Sequence, residues 1–266
     1  MLASMKRIAR LAAALLVGIG ASAVQAAGLL IFGEVHDQPD VQRQVAAEVQ
    51  RLAADGQLAA VVLEMAEVPH RTSGLPRDAT EAQVQQALQW RGWPWPPYAA
   101  VVMNAVRAGV PVIGGNLPRA QMRAAMADAS LDAWVTPPVR ELLAQEVRSG
   151  HCGLLPDAQL PGMVRIQIAR DRAMAAAARA ALREAGPQQT VLLLAGAQHA
   201  SRDRGIPLHL ASVEQGVPLR VVMFGELSAH LSADEHRPAV LTPQADHCTE
   251  LSRQLGAAAA PASAPR

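Results

Sequence analysis

Lysine is almost missing from this chain. Lys6 is the only one among 266 residues, and it lies at the extreme amino terminus. No lysine is left in the body of the chain to form a Schiff base or to serve as the lysine of a phosphate-binding P-loop. Aromatic residues make up 3% of the chain, with a single tyrosine, Tyr98. There are two cysteines, Cys152 and Cys248, and they form no Cys-x-x-Cys pattern for zinc or redox chemistry. His-Glu-x-x-His, Gly-x-Ser-x-Gly and Gly-x-Gly-x-x-Gly are all absent, which removes the common zincin, hydrolase-elbow and dinucleotide signatures. There is no large excess of either charge, with 24 Lys and Arg against 23 Asp and Glu.

The amino terminus reads as an export signal over residues 1–26. Lys6, Arg7 and Arg10 form a basic start, and Leu11 to Val17 is an apolar stretch too short to span a bilayer. Val24-Gln25-Ala26 supplies small residues for cleavage after Ala26. Removing the three cations leaves 21 basic against 23 acidic residues. The remaining chain is expected to be periplasmic, with no transmembrane segment and no nucleic-acid partner. No cysteine follows the apolar stretch to carry a lipid anchor. About 240 residues remain, enough for one domain with a sizeable core. In an oxidising compartment, Cys152 and Cys248 could pair. In the chain-entropy model, closing a loop of about a hundred residues stabilises by roughly 4–5 kcal/mol.

Apolar strand candidates alternate with helical stretches. Strands are expected at Leu29–Glu34, Leu58–Met65, Val110–Gly114, Gln189–Ala195 and Leu219–Phe224. Helices are expected at Pro39–Ala54, Thr80–Arg91, Tyr98–Ala108, Pro118–Asp128, Pro138–Arg148 and Gln159–Glu184, with Thr80 as an N-cap. Gly92-Trp93-Pro94-Trp95-Pro96-Pro97 reads as loop because its prolines break both kinds of ladder. The pattern argues for an α/β domain over residues 27–255, with a mostly parallel sheet covered by helices on both faces. An Ala/Pro/Ser-rich tail over 256–266 reads as disordered.

Two segments share one layout, an apolar run followed by Gly-x-x-His: Gly33-Glu34-Val35-His36 and Gly196-Ala197-Gln198-His199. Polar groups at the carboxyl ends of strands are where open α/β sheets bind ligands. The strand ends deliver Glu34 and His36, then Glu64, then Asn116 and Arg119, then His199. Two imidazoles and two carboxylates suit a divalent transition metal bound by His36, Glu64 and His199, or acid–base work on a bound water. Asn116 and Arg119 could then hold an anion or a developing oxyanion. The plain alternative is a set of strand-end charges that satisfy one another. Tyr98 beside Trp93 and Trp95 reads either as a loop pinned to the core or as an apolar platform whose phenolate ligates ferric haem. His151 beside Cys152 is a third candidate, as a metal or haem contact, with the disulfide reading of Cys152 as its competitor. His70, His209, His230, His236 and His247 lack such context.

Together these motifs resemble the ChaN family of bacterial haem-binding uptake proteins, within the Tiki/TraB/erythromycin-esterase-like superfamily. The resemblance runs from Gly28 to Leu251. It is carried by Gly33-Glu34-Val35-His36, Leu63-Glu64-Met65 and the Trp/Pro segment ending at Tyr98. It continues through Gly115-Asn116-Leu117-Pro118-Arg119, Gly150-His151-Cys152-Gly153, Gln167 to Asp171, and Gly196 to Pro207. The resemblance implies a cell-envelope protein that binds haem for iron acquisition. It also implies a homodimer in which a tyrosine ligates haem, a role only Tyr98 could fill; the residue reading adds Trp95 and His151 as candidate cofactor contacts. The superfamily also contains metal-dependent proteases with paired Gly-x-x-His motifs. By that likeness Glu34, His36, Glu64 and His199 would form a metal or acid–base site of a hydrolase acting on a peptide, ester or amide.

Overall fold

A computed structural model describes residues 27–210, 217–243 and 246–259, the last six of these as backbone only. The export signal read over 1–26 lies outside the described residues, as does 260–266 of the expected tail.

Strands β1 (Gly28–Glu34), β2 (Leu58–Glu67), β3 (Val112–Asn116), β4 (Thr190–Gly196), β5 (Leu219–Phe224) and β6 (Glu235–Arg237) form one sheet. Its order is β3-β2-β4-β1-β5-β6, and every neighbouring pair is parallel. β4 sits inside the sheet, and Val191 to Ala195 are fully buried. An interior parallel strand touches helices on both faces, so it reads as an unbroken apolar run and not as an alternation.

The two faces have separate cores. Helices α1 (Pro39–Ala54) and α3 (Trp95–Ala108) pack over Phe32, Leu63, Leu192 and Leu194. α1 turns Val41, Val45, Val49 and Leu52 inward, a spacing that keeps one stripe of a helix on the sheet. On the opposite face, α6 (Leu160–Glu184) covers Ile31, Val62, Leu193 and Ala195 with Met174, Ala175, Ala178 and Ala181. The amino-terminal part of α6 also packs with α4 (Arg119–Ala127) and α5 (Pro137–Gly150) through Leu143, Val147, Val164 and Ile168. This third cluster extends one face of the domain beyond the sheet.

Local departures from the sequence reading have clear causes. Thr80 caps α2 (Glu81–Ala87) through a capping box with Gln83, but the helix ends well short of Arg91. α3 begins at Trp95, so Pro96 and Pro97 are helical and not loop. The first helical positions have no intrahelical N–H bond to lose, and proline is compatible there. β3 starts two residues later than expected and runs to Asn116. β6 has three residues, too few to show a period. α8 (His247–Ala259) is helical through 256–259, where a disordered tail was expected. Cys152 and Cys248 are joined by a disulfide, which ties α8 to the turn after α5.

Neither motif glycine before a histidine serves a left-handed turn. Gly33 lies within β1, and a Cβ there would meet Met223 Sδ at 2.2 Å and Ala200 Cβ at 2.9 Å. Gly196 ends β4, and a Cβ there would meet His36 Nε2 at 2.7 Å. Both glycines permit close approach of neighbouring groups.

Candidate functional site

β2, β4 and β1 are adjacent and parallel, so their carboxyl ends share one edge. Glu34 pairs in register with Gly196, and Leu63 with Leu194. The chain leaves β1 toward β2 on one side and leaves the adjacent β4 toward β5 on the other. Such a switch point opens a crevice at the strand ends. A cavity of about 620 Å³ lies there, within the range of small-molecule and cofactor sites. Glu34, His36, Glu64, Arg170, Asp171 and His199 give it a polar floor. Trp93, Leu143, Val147, Leu227 and Leu231 form apolar walls.

Glu64 is the centre of the floor and is buried. Its Oε2 accepts the Gly196 backbone N–H at 2.6 Å, and its Oε1 accepts Arg170 Nη2 at 2.5 Å. Burial opposes its charge. His199, Arg170, His36 and the Gly196 N–H outweigh that and hold the carboxyl down at about 2. Arg170 is fixed in turn, donating Nε to Asn116 Oδ1 at 3.0 Å and Nη1 to Gln167 Oε1 at 3.2 Å.

Two carboxylate–imidazole pairs flank Glu64. On one side Asp171 Oδ1 lies 2.6 Å from His199 Nδ1. On the other, Glu34 Oε1 lies 2.8 Å from His36 Nδ1. The same Glu34 oxygen accepts the Tyr98 O–H at 2.7 Å, and Oε2 accepts Gln42 Nε2 at 2.5 Å. Burial pushes the Glu34 carboxyl up, opposed by these donors. For His36, burial disfavours the charged ring, yet the bond to Glu34 and the charges of Glu64, Glu34 and Asp37 raise its pKa overall. Trp93 stands edge-on to His36, with ring centroids 4.7 Å apart. With both Nδ1 atoms engaged by carboxylates, each Nε2 is turned inward. They lie 4.0 Å and 3.7 Å from the one Glu64 oxygen.

The floor therefore unites Glu34, His36, Glu64 and His199, four residues from three strand ends. It does not unite the rest of the expected set. Asn116 is buried and committed: Oδ1 accepts Arg170 and the Leu117 N–H, and Nδ2 donates to the Glu64 carbonyl. It orients Arg170 and is not available to an oxyanion. Arg119 does not line the cavity; its guanidinium lies beside Gly92. Trp95 also lies outside, donating its indole N–H to Glu81 at 2.6 Å, and Trp93 takes the wall instead.

Tyr98 is fully buried and not part of an exposed platform. Burial, then the charge of Glu34, push its hydroxyl far above the ordinary value, so it stays a phenol. The expected phenolate ligand is not formed there. His151 does line the cavity, and its Nδ1 lies 2.7 Å from the Val147 carbonyl oxygen. A carbonyl only accepts, so the proton sits on Nδ1 and the neutral ring keeps a lone pair on Nε2.

The expected metal triad of His36, Glu64 and His199 does not fit an ion. Among the described residues no group of three or more His, Cys, Asp and Glu side chains is arranged to hold one. Arg170 and the Gly196 N–H take both Glu64 oxygens, so the positive charge a metal would bring is already supplied. Sequence reasoning used Gln167 to Asp171 for the family resemblance but gave Arg170 and Asp171 no place in the floor, and it missed Gln42. A usable signal was present in α6, where Gln167, Arg170 and Asp171 stand at i, i+3 and i+4 in an Ala- and Ile-rich helix.

Comparison with known proteins gives a family and a fold. A family model described as haem-binding uptake, Tiki superfamily, ChaN matches residues 21–210. No curated protein matches. The solved structure of ChaN of Campylobacter jejuni, described as binding haem cofacially, is 23% identical. It superposes with a TM-score of 0.60 over 84% of this chain and 85% of that one. An erythromycin esterase, EreC, in an open mutant conformation is 13% identical, with a TM-score of 0.43 over 76% of this chain and 70% of that one.

Proposed function

The chain belongs to the ChaN family of haem-binding uptake proteins in the Tiki superfamily, and from that membership we propose that it binds haem in the strand-end cavity, with His151 Nε2 as the iron ligand. The observation that carries the ligand assignment is the His151–Val147 bond, which fixes the tautomer a haem-ligating histidine needs. Tyrosine ligation does not fit, because the one tyrosine is buried against Glu34. The apolar walls suit a macrocycle face, and Trp93 adds an aromatic surface. Haem held there would supply an iron centre, and this chain would supply the His151 lone pair, the apolar walls and the cavity volume.

His151 and the apolar walls belong to one chain, so loading is expected without ligation by Tyr98 across a homodimer contact. Residues 1–26 act as the export signal, and the domain over 27–255 works in the periplasm as part of iron or haem uptake. The Cys152–Cys248 disulfide supports that location, since disulfides persist in oxidising compartments.

Titrating the mature protein with hemin tests the reading. A saturable Soret shift is expected. His151→Ala weakens binding on the order of tenfold or more, equivalent to about 1.4 kcal/mol, and Tyr98→Phe leaves it unchanged. A spectrum that stays that of free hemin overturns haem binding. Equal affinity for the wild type and His151→Ala overturns the ligand.

A further inference from the structure

One flank of α6 carries charge that the cavity does not use. Arg172, Arg179 and Arg183 stand at i, i+7 and i+11, which puts them in a row along one side of the helix. Among the described residues, none of the three lies within ion-pair distance of a carboxylate. Arg165, one further step along the same flank, is by contrast paired with Asp132 at 2.8 Å. The Arg172 guanidinium sits over the Trp134 ring, 3.5 Å from its centroid, and that indole is 51% exposed.

His209 senses the same row. It is buried in a short helical turn, Ile206–His209, that packs on α6. Burial lowers its pKa, Asp171 opposes that, and Arg172 and Arg179 push it further down. The carboxylates whose charges reach the row are engaged elsewhere, Asp171 with His199 and Asp128 with Ser130. A row of uncompensated cations costs stability through self-repulsion, and an anionic surface laid against it would offset that cost.

We propose that the Arg172–Arg179–Arg183 row and Trp134 dock this protein on the surface of an anionic phospholipid membrane. The length of the row favours a surface over a small anion. The eleven residues from Arg172 to Arg183 rise about 16 Å along the helix. One phosphate or carboxylate group cannot bridge that distance, whereas a plane of headgroups meets all three guanidinium groups at once. Trp134 then enters at headgroup level, where a ring with an apolar body and an N–H edge is favoured. Arg170 stands two residues before Arg172, about 200° around the helix axis, so docking leaves the cavity side of α6 uncovered.

The test sediments the purified mature protein with vesicles of phosphatidylglycerol and phosphatidylethanolamine, and with phosphatidylcholine vesicles as the neutral control. Binding to the anionic vesicles is expected, with a blue shift of tryptophan emission, and high salt should weaken it. Arg179→Gln/Arg183→Gln should lower the partition coefficient roughly 25-fold, about fivefold per arginine. Arg179→Lys/Arg183→Lys should keep most of the binding, because a surface potential reads charge. Arg77→Gln/Arg107→Gln makes the same change of charge beside α3, on the opposite face of the sheet, and should alter nothing. Trp134→Phe should remove the blue shift. Thermal melting checks that each variant is folded. No binding, equal binding to both kinds of vesicle, or equal losses in the two glutamine pairs overturns the proposal. Tighter binding to polyglutamate than to anionic vesicles also overturns it, and assigns the row to an acidic protein. Hemin titration of Arg179→Gln/Arg183→Gln reads the haem site separately, since His151 is untouched.

Discussion

Replacing Arg170 with alanine should be among the most destabilising single changes in the domain. The Glu64 carboxylate is 2% exposed and the Arg170 side chain 16% exposed, so the pair sits mostly out of water. Removing one member of a buried pair leaves the other charge stranded, which costs about 3–5 kcal/mol. A protein of this size loses roughly 2–4 °C in Tm per kcal/mol, so the melting temperature at pH 7 should fall by about 6–20 °C. Glu64→Gln removes the stranded charge, and the double variant Arg170→Ala/Glu64→Gln should be more stable than the sum of the two single losses allows. The pH dependence carries a second signature. Glu64 is lowered from 4.5 to about 2 in the folded state. Its contribution is therefore fully present above pH 4.5 and lost as pH falls through about 2, a change of about 3 kcal/mol. His36 has its pKa raised, so its contribution is full below pH 6.5 and constant across this acid window. The wild type should thus lose more stability than Arg170→Ala between pH 5 and 2, because the variant has lost the guanidinium that helps keep Glu64 ionised. Circular dichroism melts at a series of pH values measure both effects. A variant within 2 °C of wild type at pH 7, or strict additivity in the double variant, would show that the guanidinium does not hold the floor together.

Two further changes test how the cavity is framed. Cys152→Ser/Cys248→Ser removes the bond that ties α8 to the turn bearing His151; denaturant unfolding should show a loss of about 2–5 kcal/mol, and hemin affinity should fall with it, whereas unchanged affinity would separate the disulfide from the ligand. Gly196→Ala places a methyl group 2.7 Å from His36 Nε2; about 1–3 kcal/mol should be lost from overpacking, read by denaturant unfolding, with hemin binding little changed because the displaced ring is His36 and not His151.

Much of the sheet was legible because buried parallel strands are written as apolar runs. Val191 to Ala195 and Leu29 to Phe32 could hardly be anything else once turn signals bounded them. The Gly-x-x-His motifs were legible as a site for a related reason, since topology carries polar residues at strand ends to one edge. Helix partners were not legible in the same way. Asp171 lies 28 residues before His199, and Arg170 lies 106 residues after Glu64. No local period links such pairs; Gln167, Arg170 and Asp171 mark one polar face of α6, but their partners are known only once the neighbouring strands are in place. Tyr98 failed for the opposite reason. Its rarity marked it as special, but composition cannot tell a tyrosine that faces solvent from one that donates to a buried carboxylate.

That difference bears on what the floor is for. A cluster needed only for stability would be served by apolar residues of similar volume at no loss, and often with a gain. This chain instead buries Glu34, Glu64 and Asp171 together and spends Tyr98, Gln42, Asn116 and Arg170 on holding them in place. Each of those supporting bonds ends at a carboxylate or its backbone, and the two pairs end at imidazole nitrogens turned into the cavity. Buried polar networks of this kind fix the orientation and tautomer of the groups they support. The groups so fixed are His36 and His199, one from each Gly-x-x-His segment.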